Sequence, residues 1–133
     1  MSLFSILVGG VFGAAFVALV ATVGLHRDRG FYAALLMAIA FFYPVFSAER
    51  FALDEAAVQM LIALAFVGVA MVGYAKKSAG ILSIGLITHA TYDMVGLIFG
   101  VHAPELWAEF CIGFDWVLAI AARMFLPRGL NER

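Results

Sequence analysis

The sequence predicts an all-α integral membrane protein, a bundle of five transmembrane helices. Hydrophobic residues make up 65% of its 133 residues and charged residues only 13%, about half the charged fraction of a typical soluble domain. The mean hydropathy is +1.06, and uninterrupted apolar runs repeatedly approach the roughly 20 residues that cross a bilayer. These observations exclude an ordinary water-soluble fold.

Five apolar runs follow one another along the chain, at residues 3–25, 30–46, 56–74, 79–101 and 105–125. The first run ends at the charged stretch His26-Arg27-Asp28-Arg29, and the third ends at Lys76-Lys77. Pro44 breaks the second run near its end, because proline removes a backbone donor. Pro104 directly precedes the fifth run, and proline is well placed at the start of a helix; Pro127 follows the end of the run. Since the chain has no repeat or low-complexity stretch, we expect residues 1–133 to form a single domain.

The orientation follows from the basic residues, because short cytoplasmic loops retain Lys and Arg. In a five-span arrangement one side carries most of them: Arg27, Arg29, Lys76, Lys77, Arg123, Arg128 and Arg133. Arg50 falls on the other side. A four-span arrangement without the short second run would divide the basic residues between both sides. We therefore expect the N-terminus outside the cell and the C-terminus in the cytoplasm.

Composition also excludes several classes of function. The net charge is -1 and the basic residues form no stripe, so the lipid bilayer is the expected partner and nucleic acid is not. Cys111 is the single cysteine, which excludes an intrachain disulfide. No lysine lies inside a predicted span, which excludes a retinal Schiff base, and no glycine-rich phosphate loop is present. The first run has no basic segment before it and no cleavage site after it, so we expect it to remain as a span.

Small residues line one face of the first predicted helix. Gly9 and Gly13 form a small-x-x-x-small pair, which Gly10, Ala14, Ala18 and Ala21 extend. Such strips let two helices approach closely in a membrane. Two interpretations stay open: packing against a neighbouring span of the same chain, or contact of the Gly9/Gly13 face with a second copy or a larger membrane complex.

Ionisable residues inside the fourth and fifth predicted spans mark the candidate site, because each costs on the order of 3 kcal/mol at a helix centre. His89 and Asp93 are four residues apart on one span, so they share a helix face. Cys111 and Asp115 have the same spacing on the next span. Since the two spans are antiparallel, a rise of about 1.5 Å per residue places Asp115 level with His89, and Cys111 level with Asp93. We expect these four side chains to meet near the middle of the membrane.

These residue types suit more than one kind of site. His89, Asp93, Asp115 and Cys111 are all potential ligands of a divalent transition metal ion. A proton relay or general acid–base catalysis needs much the same residues, so whether the protein is an enzyme stays open. The alternative without chemistry is a hydrogen-bonded clamp between two helices. A carboxylate alone at this depth is expected to be neutral unless His89, Arg50 or a metal ion compensates it.

A second polar group lies at the external ends of the predicted spans. Glu49, Arg50, Gln59 and Glu109 are candidates for the lining of a cavity that leads from the external side down to Asp93. The alternative for Glu49 and Arg50 is an ordinary solvated loop.

Two aromatic residues are expected near the same interface. Trp107 is most simply an anchor in the aromatic belt of the membrane, and Tyr43 is expected to be another.

The pattern His89-Ala90-x-x-Asp93, Pro104, Trp107, Phe110-Cys111, Phe114-Asp115 and Leu118-Ala119 resembles a family of small bacterial integral membrane proteins that is defined as a domain of unknown function. The resemblance implies that the His, Asp and Cys residues belong to one shared feature, and that the protein lies in the bacterial cytoplasmic membrane. It implies no activity. Family members commonly carry a further histidine one turn after the first aspartate, where this chain has Met94-Val95-Gly96. That difference disfavours a metal site with several histidines.

The sequence thus predicts a His/Asp/Cys cluster in the middle of the membrane. Its leading function is to bind a metal ion or exchange protons in support of small-solute transport or a membrane-embedded reaction. In a second interpretation the chain is an accessory subunit of a larger membrane complex, and the cluster only holds two helices together. A fainter similarity, carried by His89-x-x-x-Asp93 and Glu49-Arg50, links the chain to membrane-embedded prenyl proteases of the abortive-infection type, whose paired glutamates it lacks.

Overall fold

The computed structural model describes residues 1–127, and in this part of the chain every regular element is a helix. The helices are α1 (Leu3–Ala21), α2 (Arg29–Ala40), α3 (Phe42–Glu49), α4 (Leu53–Ala75), α5 (Ala79–Phe99) and α6 (Trp107–Phe125), with a short 3-10 turn at Leu25–Arg27 between α1 and α2. Arg128 and Arg133, which entered the orientation argument, lie outside the described residues.

Short polar side chains set the starts of three helices. Ser2, Asp28 and Ser78 precede α1, α2 and α5, and each accepts a hydrogen bond from a backbone amide in the first turn of its helix. These caps supply hydrogen-bond partners for backbone N–H groups that have none within the helix. In a membrane protein such pairing matters more, because lipid offers the backbone no hydrogen bonds. At its other end, α5 stops at Gly100, whose φ of 72° is a left-handed conformation that glycine adopts without steric cost.

The helices α2 and α3 are two halves of the second predicted span, and they are separated at Phe41. Pro44 explains the break, because its ring carries no N–H and clashes with the carbonyl group of Ala40, four residues earlier. α3 then runs on to Glu49, beyond the predicted end of that span. In contrast, α1 ends at Ala21, before the predicted end of the first span.

Within residues 1–127, four segments are long and apolar enough to cross a membrane: Leu3–Ala21, Arg29–Glu49, Leu53–Ala75 and Ala79–Phe99. They confirm that the chain is a helical, multi-pass membrane protein. α6 is not among them, since Glu109, Asp115 and Arg123 place three ionisable groups within its 19 residues. The fifth span and the orientation of the chain remain predictions.

Charges of opposite sign gather at the two ends of the bundle. The basic end carries Arg27, Arg29, Lys76, Lys77 and Arg123 with one acidic residue, Asp28, whereas the acidic end carries Glu49, Asp54, Glu55, Glu105 and Glu109 with one basic residue, Arg50. At the basic end, Arg29 and Lys77 line one cavity of about 490 Å³, and the Arg29 guanidinium donates to the backbone carbonyl of Pro127, just after α6. At the acidic end, the backbone N–H of Ser2 donates to the Glu109 carboxylate over 3.3 Å. α1 and α6 therefore both begin at the acidic end.

α5 lies at the centre of the bundle, where it packs against α2, α4 and α6. α6 packs in turn against α1, while α2 and α3 pack against α4. Large apolar side chains of α1 point out of the bundle, among them Leu3, Phe4, Val11 and Phe12. An exposed apolar surface of this extent is typical of contact with lipid.

α1 and α6 approach each other so closely that their backbones touch. A Cβ atom on Gly9 would lie 2.0 Å from the Phe110 carbonyl oxygen, and one on Gly113 would lie 2.0 Å from the Ile6 carbonyl oxygen. Gly13 also faces α6. The glycines of the small strip thus pack against a helix of the same chain, which is one of its two interpretations, whereas Ala14 and Ala18 are exposed. Association of this face with a second copy or a larger complex remains a prediction.

The variant Gly113→Ala is expected to destabilise the bundle by about 1–3 kcal/mol, the usual cost of forcing extra atoms into a well-packed interface. The added methyl group would meet the Ile6 carbonyl oxygen, so α1 and α6 would have to move apart. Gly68→Ala is the matched control, because a Cβ atom at this exposed position of α4 meets nothing within 4 Å. Thermal unfolding in detergent measures both variants, and equal stabilities would contradict the close contact.

Candidate metal centre

α5 and α6 bring three ionisable side chains together inside the bundle. Nδ1 of His89 lies 2.7 Å from Oδ2 of Asp115 and 3.5 Å from Oδ2 of Asp93. His89 and Asp93 are one turn apart on α5 and share a face, and Asp115 reaches them from α6. The prediction that Asp115 lies level with His89 is confirmed.

These three side chains are closed to solvent. The exposed fraction is 2% for His89 and zero for Asp93 and Asp115. Each side chain nevertheless has a polar atom without a hydrogen-bond partner: Nε2 of His89, Oδ2 of Asp93 and Oδ1 of Asp115. A buried polar atom without a partner costs about 1–3 kcal/mol, and more when the group is charged. Of these three atoms, Oδ2 of Asp93 is the one that lies among the converging atoms, 3.5 Å from Nδ1 of His89.

The spacing of the three side chains fits a metal ion. Each offers one ligand atom, and these atoms all lie within 4.8 Å of one another. A tetrahedral ion with bonds of about 2.0–2.2 Å holds its ligand atoms about 3.4 Å apart. The separations of 2.7 and 3.5 Å around Nδ1 of His89 bracket that distance. Imidazole nitrogen and carboxylate oxygen together are a ligand set that divalent transition metals accept.

Tyr43 of α3 is a further member of the cluster, and sequence reasoning missed it. Its hydroxyl group donates a hydrogen bond of 2.8 Å to Oδ1 of Asp93, and only 2% of its surface is exposed. The expectation that Tyr43 anchors the chain at the membrane surface is therefore wrong. The available signal was the four-residue spacing of Tyr43 and Ser47, which puts two hydroxyl groups on one face of an apolar span.

Gln59 of α4 is buried and extends this polar region away from Asp93. Its amide oxygen accepts a hydrogen bond from the hydroxyl group of Tyr92. The ring of Tyr92 packs edge-on against the ring of Tyr43, with their centroids 5.2 Å apart. α3, α4 and α5 therefore all contribute polar side chains next to the cluster.

Two residues considered for the cluster are not among its converging ligands. Cys111 is buried on α6, one turn before Asp115, but it is not among the residues whose ligand atoms converge. Its role as a ligand stays a prediction. Arg50 is exposed at the acidic end, so it does not compensate the buried carboxylates.

The residues predicted to line an external cavity are in different surroundings. Glu49 and Arg50 are both exposed. Glu109 is buried, and its carboxylate accepts the hydrogen bond from the Ser2 amide that joins α6 to α1. Gln59 is the member of this group that reaches the cluster, through Tyr92.

Comparison with known protein families finds no matching family model, and comparisons with curated proteins and with solved structures find no match either. The resemblance to a family of small bacterial membrane proteins therefore remains a prediction carried by residues 89–125. The functional interpretation depends on the geometry of the cluster itself.

The variant Tyr43→Phe is expected to destabilise the protein by about 1–3 kcal/mol, because it leaves Oδ1 of Asp93 buried without a donor. Tyr74→Phe is the matched control, since it removes the same hydroxyl group from a tyrosine that is 58% exposed on α4. Thermal unfolding in detergent compares the two. A loss for Tyr43→Phe no larger than that for Tyr74→Phe would mean that the hydrogen bond contributes no stability.

Proposed function

We propose that this protein is a small multi-pass protein of the bacterial cytoplasmic membrane in which His89, Asp93 and Asp115 bind a divalent transition metal ion. The bound ion serves small-solute transport or a reaction inside the membrane. The observation that carries the proposal is the convergence of one imidazole and two carboxylates within 4.8 Å, at a position closed to solvent.

Charge balance favours a divalent ion at this position. Two ionised carboxylates carry two negative charges, and an uncompensated buried charge is strongly destabilising. A divalent cation held by both carboxylates and a neutral imidazole makes the whole group neutral. Oδ2 of Asp93, which has no hydrogen-bond partner, would then gain a partner in the ion.

The number of ligands favours a functional ion over a structural one. Structural zinc sites are closed by four protein ligands, whereas catalytic sites have three and keep one position open for water or substrate. His89, Asp93 and Asp115 supply three ligand atoms. An ion held by them keeps a coordination position for a further ligand.

A proton-binding site is the second candidate, and two hydrogen bonds favour it. His89 and Asp115 are 2.7 Å apart, and Tyr43 lies 2.8 Å from Asp93. Linked Asp and His side chains of this kind form proton relays in membrane pumps and transporters.

The third candidate is an accessory subunit in which the cluster only clamps helices together. Ser83 favours it, because its hydroxyl group donates to the Ala119 carbonyl over 2.9 Å and so joins the same two helices by a plain hydrogen bond. A measurement of metal content separates the metal site from both the proton-binding site and the accessory subunit.

The wild-type protein, purified in detergent, is expected to contain close to one equivalent of a transition metal, measured by elemental mass spectrometry. Asp115→Asn keeps the shape of the side chain but removes a charge and a strong ligand, so the metal content is expected to fall about tenfold or more. Glu109→Gln is the matched control. It alters a buried carboxylate on the same helix that lies outside the converging group.

The outcomes separate the metal site from the other two candidates. A site that keeps its metal in Asp115→Asn removes Asp115 from the ligand set. A wild-type protein free of metal, even after incubation with the ion, contradicts the metal proposal. In that case a stability loss of only about 1 kcal/mol for Asp115→Asn favours a hydrogen-bonded clamp.

We also propose that α6 crosses the membrane as a fifth span, with the basic end of the bundle in the cytoplasm. Hydrogen bonds join the start of α6 to Ser2 at the acidic end and the chain just after it to Arg29 at the basic end. Its 19 residues reach about 28 Å at 1.5 Å per residue, close to the roughly 30 Å of a hydrocarbon core. Cytoplasmic retention of Lys and Arg then gives the orientation.

Cysteine labelling in a Cys111→Ala background tests this topology. Ala103→Cys is expected to react with an impermeant thiol reagent added to intact cells, whereas Ala75→Cys is expected to react only after the membrane is opened. Both substitutions leave the charge of their loops unchanged, so they preserve the signal that sets orientation. Labelling of both positions from the same side would contradict five spans.

A further inference from the structure

We infer that the ion reaches the site of His89, Asp93 and Asp115 from the acidic end of the bundle, along the interface of α3, α4 and α5, and that the basic end is closed to it. The inference rests on the proposed function, because it describes how that site is loaded. The observation behind the inference is a difference between the two sides of the site: polar side chains lie toward the acidic end, and leucine side chains lie toward the basic end.

On the acidic side, buried and half-buried polar side chains follow one another in hydrogen-bonded pairs. We call this series the polar path, and its members are Ser47, Glu55, Gln59, Tyr92 and Tyr43. The Ser47 hydroxyl donates to the Glu55 carboxylate over 3.1 Å. The Tyr92 hydroxyl donates to the Gln59 amide oxygen. The Tyr43 hydroxyl donates to Asp93 over 2.8 Å and ends the path at the site.

Helical spacing joins these pairs into one series. Glu55 and Gln59 are four residues apart on α4, and Ser47 and Tyr43 are four residues apart on α3, so each pair shares a helix face. The contact between the rings of Tyr43 and Tyr92 connects the two faces. The polar path therefore consists of three hydrogen-bonded pairs placed in order between Glu55, which is partly exposed, and Asp93, which is buried.

The chemistry of the polar path suits a cation. Its members offer hydroxyl, amide carbonyl and carboxylate oxygen atoms, and none of them is a Lys or Arg. Carboxylates at the entrance of a membrane pathway attract cations and repel anions. Oxygen atoms along the way can replace water molecules that a divalent ion loses as it enters.

On the basic side, leucine side chains cover the site. We call them the leucine layer, and all four are fully buried: Leu36, Leu82, Leu86 and Leu118. Leu86 lies one turn from His89 on α5, and Leu118 lies one turn from Asp115 on α6, in both cases toward the basic end. Leu36 of α2 fits so tightly against α5 that a Cβ atom on Gly85 would lie 2.6 Å from it. The side chains of this layer offer an ion no polar ligand to replace its water, and the nearby Ser83 hydroxyl is already bonded to the Ala119 carbonyl.

Thiol accessibility tests the two sides directly. Gln59→Cys and Ser83→Cys, each in a Cys111→Ala background, form a matched pair, because Gln59 and Ser83 are 5% and 7% exposed on opposite sides of the site. In detergent micelles both ends of the bundle meet water, so a small cationic methanethiosulfonate reagent can approach from either. Since reaction of a thiol depends on access, we expect position 59 to react about tenfold faster than position 83. Equal rates, or a faster reaction at position 83, would overturn the inference.

Loading with Co²⁺ provides a second measurement that does not alter Gln59. Tyr92→Phe removes one oxygen atom from the polar path, so it is expected to slow Co²⁺ uptake several-fold while leaving the final Co²⁺ content unchanged. Tyr74→Phe, at the exposed tyrosine of the basic end, is expected to change neither. The inference is overturned if Tyr92→Phe takes up Co²⁺ as fast as the wild type. It is also overturned if the final Co²⁺ content of Tyr92→Phe is lower than that of the wild type. If the wild type takes up no Co²⁺, the proposed function fails, whereas the thiol reaction rates still decide whether the site opens toward the acidic end.

Discussion

The hydrogen bond between His89 and Asp115 is the interaction on which the bundle depends, because it keeps a carboxylate and an imidazole out of lipid. An aspartate at the centre of a membrane helix costs about 2.5–3.5 kcal/mol on insertion scales, whereas a Leu, Ile, Phe or Val returns only about 0.3–0.6. α6 carries Asp115 as well as Glu109 and Arg123, so its own hydropathy gives it little support. Its place comes from its neighbours: α5 supplies a polar partner, and α1 supplies a backbone-to-backbone contact at Gly113.

The broken second span serves the same cluster. Pro44 interrupts the helix and lets α3 start afresh at Phe42. α3 carries the Tyr43 hydroxyl group, which donates to Asp93, so this carboxylate is contacted from α3 as well as from His89 on its own helix. Oδ2 of Asp93 has no hydrogen-bond partner even after these contacts. A cluster that served only to stabilise the bundle would be expected to pair every buried polar atom, and natural proteins depart from that rule mainly at functional sites.

Much of this arrangement could be predicted from the sequence. Lengths of apolar runs gave the order of the helices, and the four-residue spacing in α5 together with helix rise gave the pairing of His89 with Asp115, because these are local or one-dimensional properties. Cys111 shares a helix face with Asp115, yet its sulfur atom does not converge with the three ligand atoms, because a common face does not fix where each side chain ends. Tyr43 was missed because its contact with Asp93 joins α3 to α5, and spacing within one helix does not show which helices meet.

The close contact between α1 and α6 has a consequence for biosynthesis. α1 leaves the ribosome before the other described helices and α6 leaves after them, so the glycine face of α1 stays without its partner while four intervening helices are made. The same delay applies to His89 and Asp93, whose partner Asp115 is also on α6. Docking of α6 against α1 and α5 therefore completes the packing of the earliest helix and the polar cluster in one step. A chain interrupted before Trp107 lacks the partner of the α1 glycine face and the partner of His89 at the same time.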